Sequence, residues 1–208
     1  GVDIFFIISG FVIMYATEKN TYFFFIRRLI RIIPLYWALT VLFFFGLIIL
    51  PNQFGQSTAN IIFFLKSIFF IPFENNNIGP GYGHSPYIFL GWTLNFEIFF
   101  YFIFQISMLI SHKFRGLIAI LLLLLINIFF SFAHFNNFIL LTYSHPILLE
   151  FCFGITLFNI WKLIEVDRKI NFLNIILPLL ICIFILFYLQ YSLDNYRFRT
   201  SYTALSIV

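Results

Sequence analysis

An acid, Glu97, stands inside the apolar stretch GWTLNFEIFFY at residues 91–101. A charge at membrane depth is costly, so it faces a protein interior, a cavity or a partner rather than lipid. On a helix, Thr93, Glu97, Tyr101 and Gln105 recur every four residues, and each step drifts only about 40° round the axis. They form one polar stripe on an apolar rod. Such a stripe can hydrogen-bond one transmembrane helix to another. It can also hold a carboxylate that handles a proton.

Arg27, Arg28 and Arg31 lie in FIRRLIRIIPLYW, just before Pro34. On a helix all three fall within an arc of roughly 100°. Planar guanidinium groups bind phosphates through paired hydrogen bonds, which Lys does less well. Basic residues beside a span also set topology or touch anionic lipid. Pro34 is expected to break the chain between this basic turn and the next span.

Asp3 and Gly10, seven residues apart, share a helix face, with Ser9 adjoining. Gly10 has no side chain, so another helix or a ligand can approach closely there. Glu150 and Gly154 share a face in SHPILLEFCFG. His145 sits about 140° round from Glu150 on a helix, and Pro146 suits a helix start. His112 lies in a basic loop, where solvation is expected. His134 and His145 fall near outer helix ends. No His pair at four-residue spacing and no Cys cluster occurs, so no metal site is expected. Cys152 and Cys182 read as small apolar residues within spans. The chain has neither a glycine-rich phosphate loop nor a nucleophile elbow.

These side chains need a scaffold that crosses a bilayer. The 208 residues are 62% hydrophobic, 23% aromatic and 10% charged, with mean hydropathy +1.01. A soluble domain carries about 25% charged residues, so the composition implies an integral membrane protein with several spans. A span takes about 20 mostly apolar residues. Residues 36–50, 88–110, 117–132, 138–161 and 172–191 read as spans. Residues 2–15 read as most of another, and residues 201–208 as the beginning of one more. Residues 61–73 are about one turn too short and carry Lys66, which suits a re-entrant or interfacial segment. The longest loop, residues 74–87, is punctuated by glycine and proline and holds His84. The expected fold class is all-α, a polytopic transmembrane helical bundle. The chain begins and ends inside apolar runs, so it reads as an internal fragment, one transmembrane domain truncated at both ends.

Charge gives the orientation. If residues 61–73 do not cross, the loops at residues 19–31, 111–115 and 162–169 share one side. They hold Lys19, Arg27, Arg28, Arg31, Lys113, Arg115, Lys162, Arg168 and Lys169, against Lys66, Arg197 and Arg199 on the other side. This nine-to-three split makes the first side cytoplasmic by the positive-inside rule. The net charge of +4 follows from that asymmetry and does not point to nucleic acid.

Three of these stretches together resemble one family. GVDIFFIISGF at residues 1–11, RLIRIIP at 28–34 and WTLNFEIFFY at 92–101 are similar to the signature blocks of membrane acyltransferase family 3. The usual forms there are GVDLFFVLSGF, R-x-x-R-x-x-P and W-S-L-x-x-E-x-x-F-Y. HPILLEFCFG at residues 145–154 is similar to the family's L-E-F-x-x-G stretch. Order and spacing agree along nearly the whole chain. The wording RIIPLYWALT and GWTLNFEIFFY is closest to the exopolysaccharide-production branch, which resembles sugar O-acetyltransferases. Thr93 replaces the usual Ser and keeps the hydroxyl.

That resemblance implies about ten transmembrane helices in the bacterial inner membrane. It implies transfer of an acetyl group from acetyl-CoA, a donor co-substrate, to a saccharide hydroxyl. Arg28 and Arg31 match the paired arginines and, with Arg27, are expected to hold the nucleotide phosphates. Glu97 matches the motif acid, expected to orient a catalytic His or help deprotonate the sugar. Asp3 matches the acid of the first block, expected to position an arginine or the acceptor. Trp92 and Tyr101 are expected to offer the sugar an aromatic face and a hydroxyl. Ser9 and Gly10 are expected to admit the acyl chain. The resemblance puts the catalytic His in an R-x10-H motif on a helix before Gly1, so the fragment by itself is expected to be inactive. The rival class is a lipid-linked sugar transporter or polysaccharide polymerase. It would need no acyl-CoA site, and the internal repeat common among transporters is not seen here.

Overall fold

The computed structural model describes residues 1–19, 23–50, 59–73, 88, 91–132, 138–143, 145–166, 184, 187, 188 and 191. Every element among them is helical: α1 (Val2–Lys19), α2 (Phe24–Ile49), α3 (Ile61–Ile68), α4 (Gly91–Ile110), α5 (Arg115–Phe132), α6 (Phe138–Tyr143), a short 3₁₀ turn (Pro146–Leu149) and α7 (Glu150–Val166). The all-α expectation holds. Among the described residues three helical stretches are long and apolar enough to cross a membrane: Phe24–Ile49, Gly91–Ile110 and Pro146–Ile164. The apolar stretch of α5, Arg115–Phe129, is shorter. The expected spans at residues 172–191 and 201–208, and the loop at 74–87 with His84, lie outside the described residues, apart from four positions in the first.

Two expected boundaries are corrected. Pro34 does not break the chain: α2 runs through it, and the three arginines belong to the same helix as the apolar run after them. Proline removes one intrahelical donor, a loss that helices in membranes tolerate when nearby groups satisfy the freed carbonyl. The single span expected at residues 138–161 is divided instead into α6, the 3₁₀ turn and α7. The break comes at Pro146. The residue before a proline is pushed out of the helical region, and His145 is extended, with φ −62° and ψ 131°. Its Nδ1 accepts from the Ile147 N–H at 3.1 Å, capping the new helix.

The chain divides into two units, described separately. One comprises Gly1–Tyr22, Ile103–His134 and Ser144–Val208; the other comprises Phe23–Phe102 and Phe135–Tyr143. In the first, α1 and α7 run parallel. Phe6 meets Phe151 at 4.8 Å between ring centres, Phe11 meets Phe158 at 5.6 Å, and Tyr15 meets Trp161 at 5.8 Å. Glu18 ends the series in an ion pair with Lys162. Midway, Gly10 lies against the Phe151 carbonyl and Gly154, so a second helix, not a ligand, occupies the space that glycine opens. Small residues let helix backbones close up in this way.

At the α1 C-terminal end, backbone carbonyls and the Thr17 hydroxyl meet the α4–α5 connection. Arg115 donates from Nε to Thr17 Oγ1 at 3.0 Å and from Nη2 to the Met14 carbonyl at 3.2 Å. Its Nη1 donates to the His112 carbonyl at 3.0 Å. His112 Nε2 lies 3.2 Å from the Thr17 carbonyl. The ends of α1 and α7 and the loop between α4 and α5 therefore share one end of this unit. Lys19, Lys113, Arg115 and Lys162, which the charge pattern groups on one side, belong to these segments.

In the second unit α3 folds back antiparallel to α2. Phe44 meets Phe64 at 4.4 Å, Tyr36 meets Phe70 at 4.7 Å, and Trp37 Nε1 donates to the Ile68 carbonyl at 3.0 Å. Asn60 starts α3 by accepting from the Ile62 N–H at 2.8 Å. Phe70, with φ 55°, ends it. The bonds Phe70 N–H to Ser67 and Ile71 N–H to Lys66 form a Schellman stop with phenylalanine where glycine is usual. With 8 residues, α3 rises only about 12 Å and cannot cross a bilayer core of about 30 Å. The non-spanning expectation for this segment holds.

Candidate functional site

The site is built from the first turns of α2 and the first half of α4, both in the second unit. The polar stripe of α4 faces inward: Glu97 is 6% exposed and Tyr101 1%, while Thr93 and Gln105 are half-buried. Residues four apart on a helix are neighbours, and the Tyr101 hydroxyl donates to Glu97 Oε1. From α2, the Arg28 guanidinium carbon lies 5.7 Å from the centre of the Tyr101 ring and 5.9 Å from that of Phe24. Phe24 meets Tyr101 edge-on at 6.1 Å. The charges of Arg28 and Arg31 both act on the Glu97 carboxylate. The buried carboxyl thus has one O–H donor and lies in the field of two cations, the kind of compensation a buried charge needs.

The three arginines do not form one outward patch. Arg28 is half-buried against the aromatic pair, whereas the side chains of Arg27 and Arg31 are exposed. Their exposure suits an anionic ligand or headgroup. Trp92 is half-buried and meets Phe96 edge-on at 5.9 Å. It stands nine residues before Tyr101, about 13 Å along the axis and half a turn round, so the two lie on opposite sides of α4. Tyr101 already has its hydroxyl on Glu97 and its ring face under Arg28.

Asp3 and Ser9 belong to the other unit. Asp3 is exposed and its carboxyl meets that of Glu150 between α1 and α7. Glu150 Oε2 is buried with no hydrogen-bond partner among the described residues. Ser9 is half-buried. Cys152 is buried.

Two features escaped the sequence reading. Asn95 is 2% exposed, with Oδ1 unpartnered among the described residues. It stands two residues from Glu97, on the far side of α4, and only the polarity of WTLNFE hints at it. Arg115, 7% exposed, counted only as a topology charge. Its partners are helix-end groups roughly a hundred residues away, which local spacing cannot reveal. Among the described residues no group of His, Cys, Asp and Glu could hold a metal ion.

A helical membrane protein with an acid and an arginine joined on one tyrosine is the class that fold and site define. The acyltransferase-domain family matches residues 1–207. The chain belongs to this family, membrane acyltransferase family 3. It is 32% identical over 164 residues to the exopolysaccharide production protein ExoZ of Rhizobium meliloti (strain 1021), covering 77% of this chain and 50% of that protein. The chain thus spans about half the length of the curated relative it matches. No solved structure matches it.

Proposed function

We propose that the chain forms part of a multi-pass O-acyltransferase of the bacterial inner membrane. Its donor is acyl-CoA, with acetyl the expected group. Its acceptor is a hydroxyl of a cell-surface or exported polysaccharide or of the lipid-linked precursor. The thioester C–S bond breaks and an ester C–O bond forms; the hydroxyl proton ends on the CoA thiol. Family membership supports the acyl transfer, and the similarity to an exopolysaccharide production protein supports exopolysaccharide as the setting.

The observation that carries the reading is the meeting of Arg28 and Glu97 on Tyr101. Guanidinium groups suit the phosphates of a nucleotide donor, and Arg27 and Arg31 lie on the same turns of α2. A buried carboxylate suits the proton that must leave the acceptor hydroxyl, either directly or by orienting a His. Trp92 and Ser9 remain the candidate sugar contacts, and Asp3 the candidate for aligning a partner group. The full-length protein, reconstituted in liposomes with acetyl-CoA labelled in the acetyl group, tests the reading. Label should pass to a polysaccharide or lipid-linked saccharide in an alkali-labile ester. Absence of transfer from any acyl-CoA, with folded protein present, would remove the proposal.

A further inference from the structure

We infer that Tyr101 is a positioning residue, setting the acid Glu97 and the cation Arg28 against each other, and that it does not bind the sugar. The inference rests on the acyl-transfer reading above. One side chain has two occupied parts. Its hydroxyl donates to Glu97 Oε1, which fixes the plane of the carboxylate and so the direction of its second oxygen. Its ring face seats the Arg28 guanidinium at 5.7 Å. At 1% exposure the residue has no surface left for a saccharide.

The ring itself is held. Phe24 meets it at 6.1 Å and Phe100 at 6.3 Å, and a tyrosine has only two side-chain torsions to fix. Phe24 opens α2 and Arg28 follows one turn later, so ring and cation are delivered by the same helix end. A shift of α2 against α4, the helix that carries Tyr101, would therefore move Phe24 and Arg28 off the tyrosine ring together. Donor binding at Arg28 and proton handling at Glu97 are thereby tied to one geometry.

Two substitutions separate the two parts, measured as steady-state kinetics on the full-length protein in liposomes. Tyr101→Phe keeps the ring and its packing but loses the O–H. It should lower kcat about tenfold, the loss of one hydrogen bond to a charged group, with the KM for acetyl-CoA unchanged. Tyr101→Leu also removes the seat of Arg28 and should raise that KM about three- to tenfold. The test turns on Tyr101→Phe, which should accumulate normally even if the leucine variant does not. Wild-type kcat in Tyr101→Phe would overturn the inference. So would a rise in the acceptor KM alone, which would return Tyr101 to the sugar. Glu97→Gln is assayed in parallel. If it collapses while Tyr101→Phe is normal, only this inference fails; if Glu97→Gln is itself fully active, the underlying site reading fails.

Discussion

Gly10 of α1 and Gly154 of α7 abut backbone to backbone. A Cβ on Gly154 would stand 2.9 Å from the Gly10 Cα, and one on Gly10 would stand 3.2 Å from the Gly154 Cα. Each would come closer still to a carbonyl oxygen, that of Ile7 or of Phe151 respectively. The parallel pairing of α1 and α7 depends on both glycines at once.

Gly10→Ala or Gly154→Ala should push the two helices apart and destabilise the protein by about 1–3 kcal/mol, the usual cost of overpacking. The double substitution should cost less than the sum, because one separation relieves both clashes. Gly116→Ala is the control. Its Cβ would meet side-chain atoms only, the Met14 end at 2.9 Å and Ile155 Cγ2 at 3.0 Å, and a methionine can move aside where backbone cannot. Thermal midpoints in detergent give the comparison. If Gly116→Ala proves the worst of the three, close backbone contact is not what holds α1 to α7.

Arg115→Ala should destabilise the end of this unit by roughly 1.5–3 kcal/mol, because Thr17 and two carbonyls lose a charged donor in a buried place. Thr17→Val removes one of those bonds and should cost less. Arg115→Lys should restore only part, since an ammonium cannot span the three acceptors as a planar fork does. Folded yield and detergent midpoints report all three. An Arg115→Ala protein as stable as the parent would return Arg115 to the role of a topology charge.

The expected orientation rests on the nine-to-three split of basic residues, and the shared end of α1, α7 and the α4–α5 loop agrees with it. In otherwise cysteine-poor protein in intact cells, Lys113→Cys should resist an impermeant thiol reagent until the membrane is opened. Ala59→Cys, just before the Asn60 cap and beyond the far end of α2, should react from outside. The opposite pattern would invert the orientation and place the arginines of α2 away from cytoplasmic acyl-CoA.

The polar stripe on α4 was legible because helical period and membrane cost act locally: Glu97 and Tyr101 are four residues apart, and both turned out buried. Gly10 was legible as a point of close approach, but not which body approaches. The arrival of Arg28 at Tyr101 was not legible, because it depends on how α2 packs on α4. Pro34 and Pro146 show the limit of a single-residue rule. The same chemistry lies inside one continuous helix and ends another, and neighbouring groups decide which. At Pro146 the His145 side chain caps the new turn, so breaking the helix there leaves fewer groups unpaired.

Arg28→Ala should weaken acyl-CoA binding about ten- to hundredfold in the full-length protein, the loss expected for one charge-assisted phosphate contact. Arg31→Ala should do the same if both arginines hold the donor. Arg28→Lys should recover part, since it keeps the charge but not the fork. Arg28 also balances Glu97 and sits on Tyr101, so its loss should lower kcat as well, whereas loss of the exposed Arg31 should act mainly on KM. Equilibrium binding of labelled acetyl-CoA and steady-state rates separate the two effects. Normal donor binding in both alanine variants would leave the arginines as topology signals.

Glu97→Gln decides between the two uses of the stripe. The amide keeps the size of the acid and can still accept from the Tyr101 hydroxyl, so a residue that only joins helices would tolerate it. It cannot take up a proton or carry the charge that faces Arg28. If Glu97 handles the proton of the acceptor or orients a His that does, O-acetylation should fall about a hundredfold or more, while membrane abundance stays near that of the parent. Glu97→Leu should do both kinds of damage, since it also leaves the buried Tyr101 hydroxyl without its acceptor. Acetyl content of the exported polysaccharide, measured beside protein abundance, separates lost chemistry from lost folding. Normal acetylation in Glu97→Gln, with Glu97→Leu failing through low abundance, would make Glu97 a structural residue and move the search for the acid to Asp3 and Glu150.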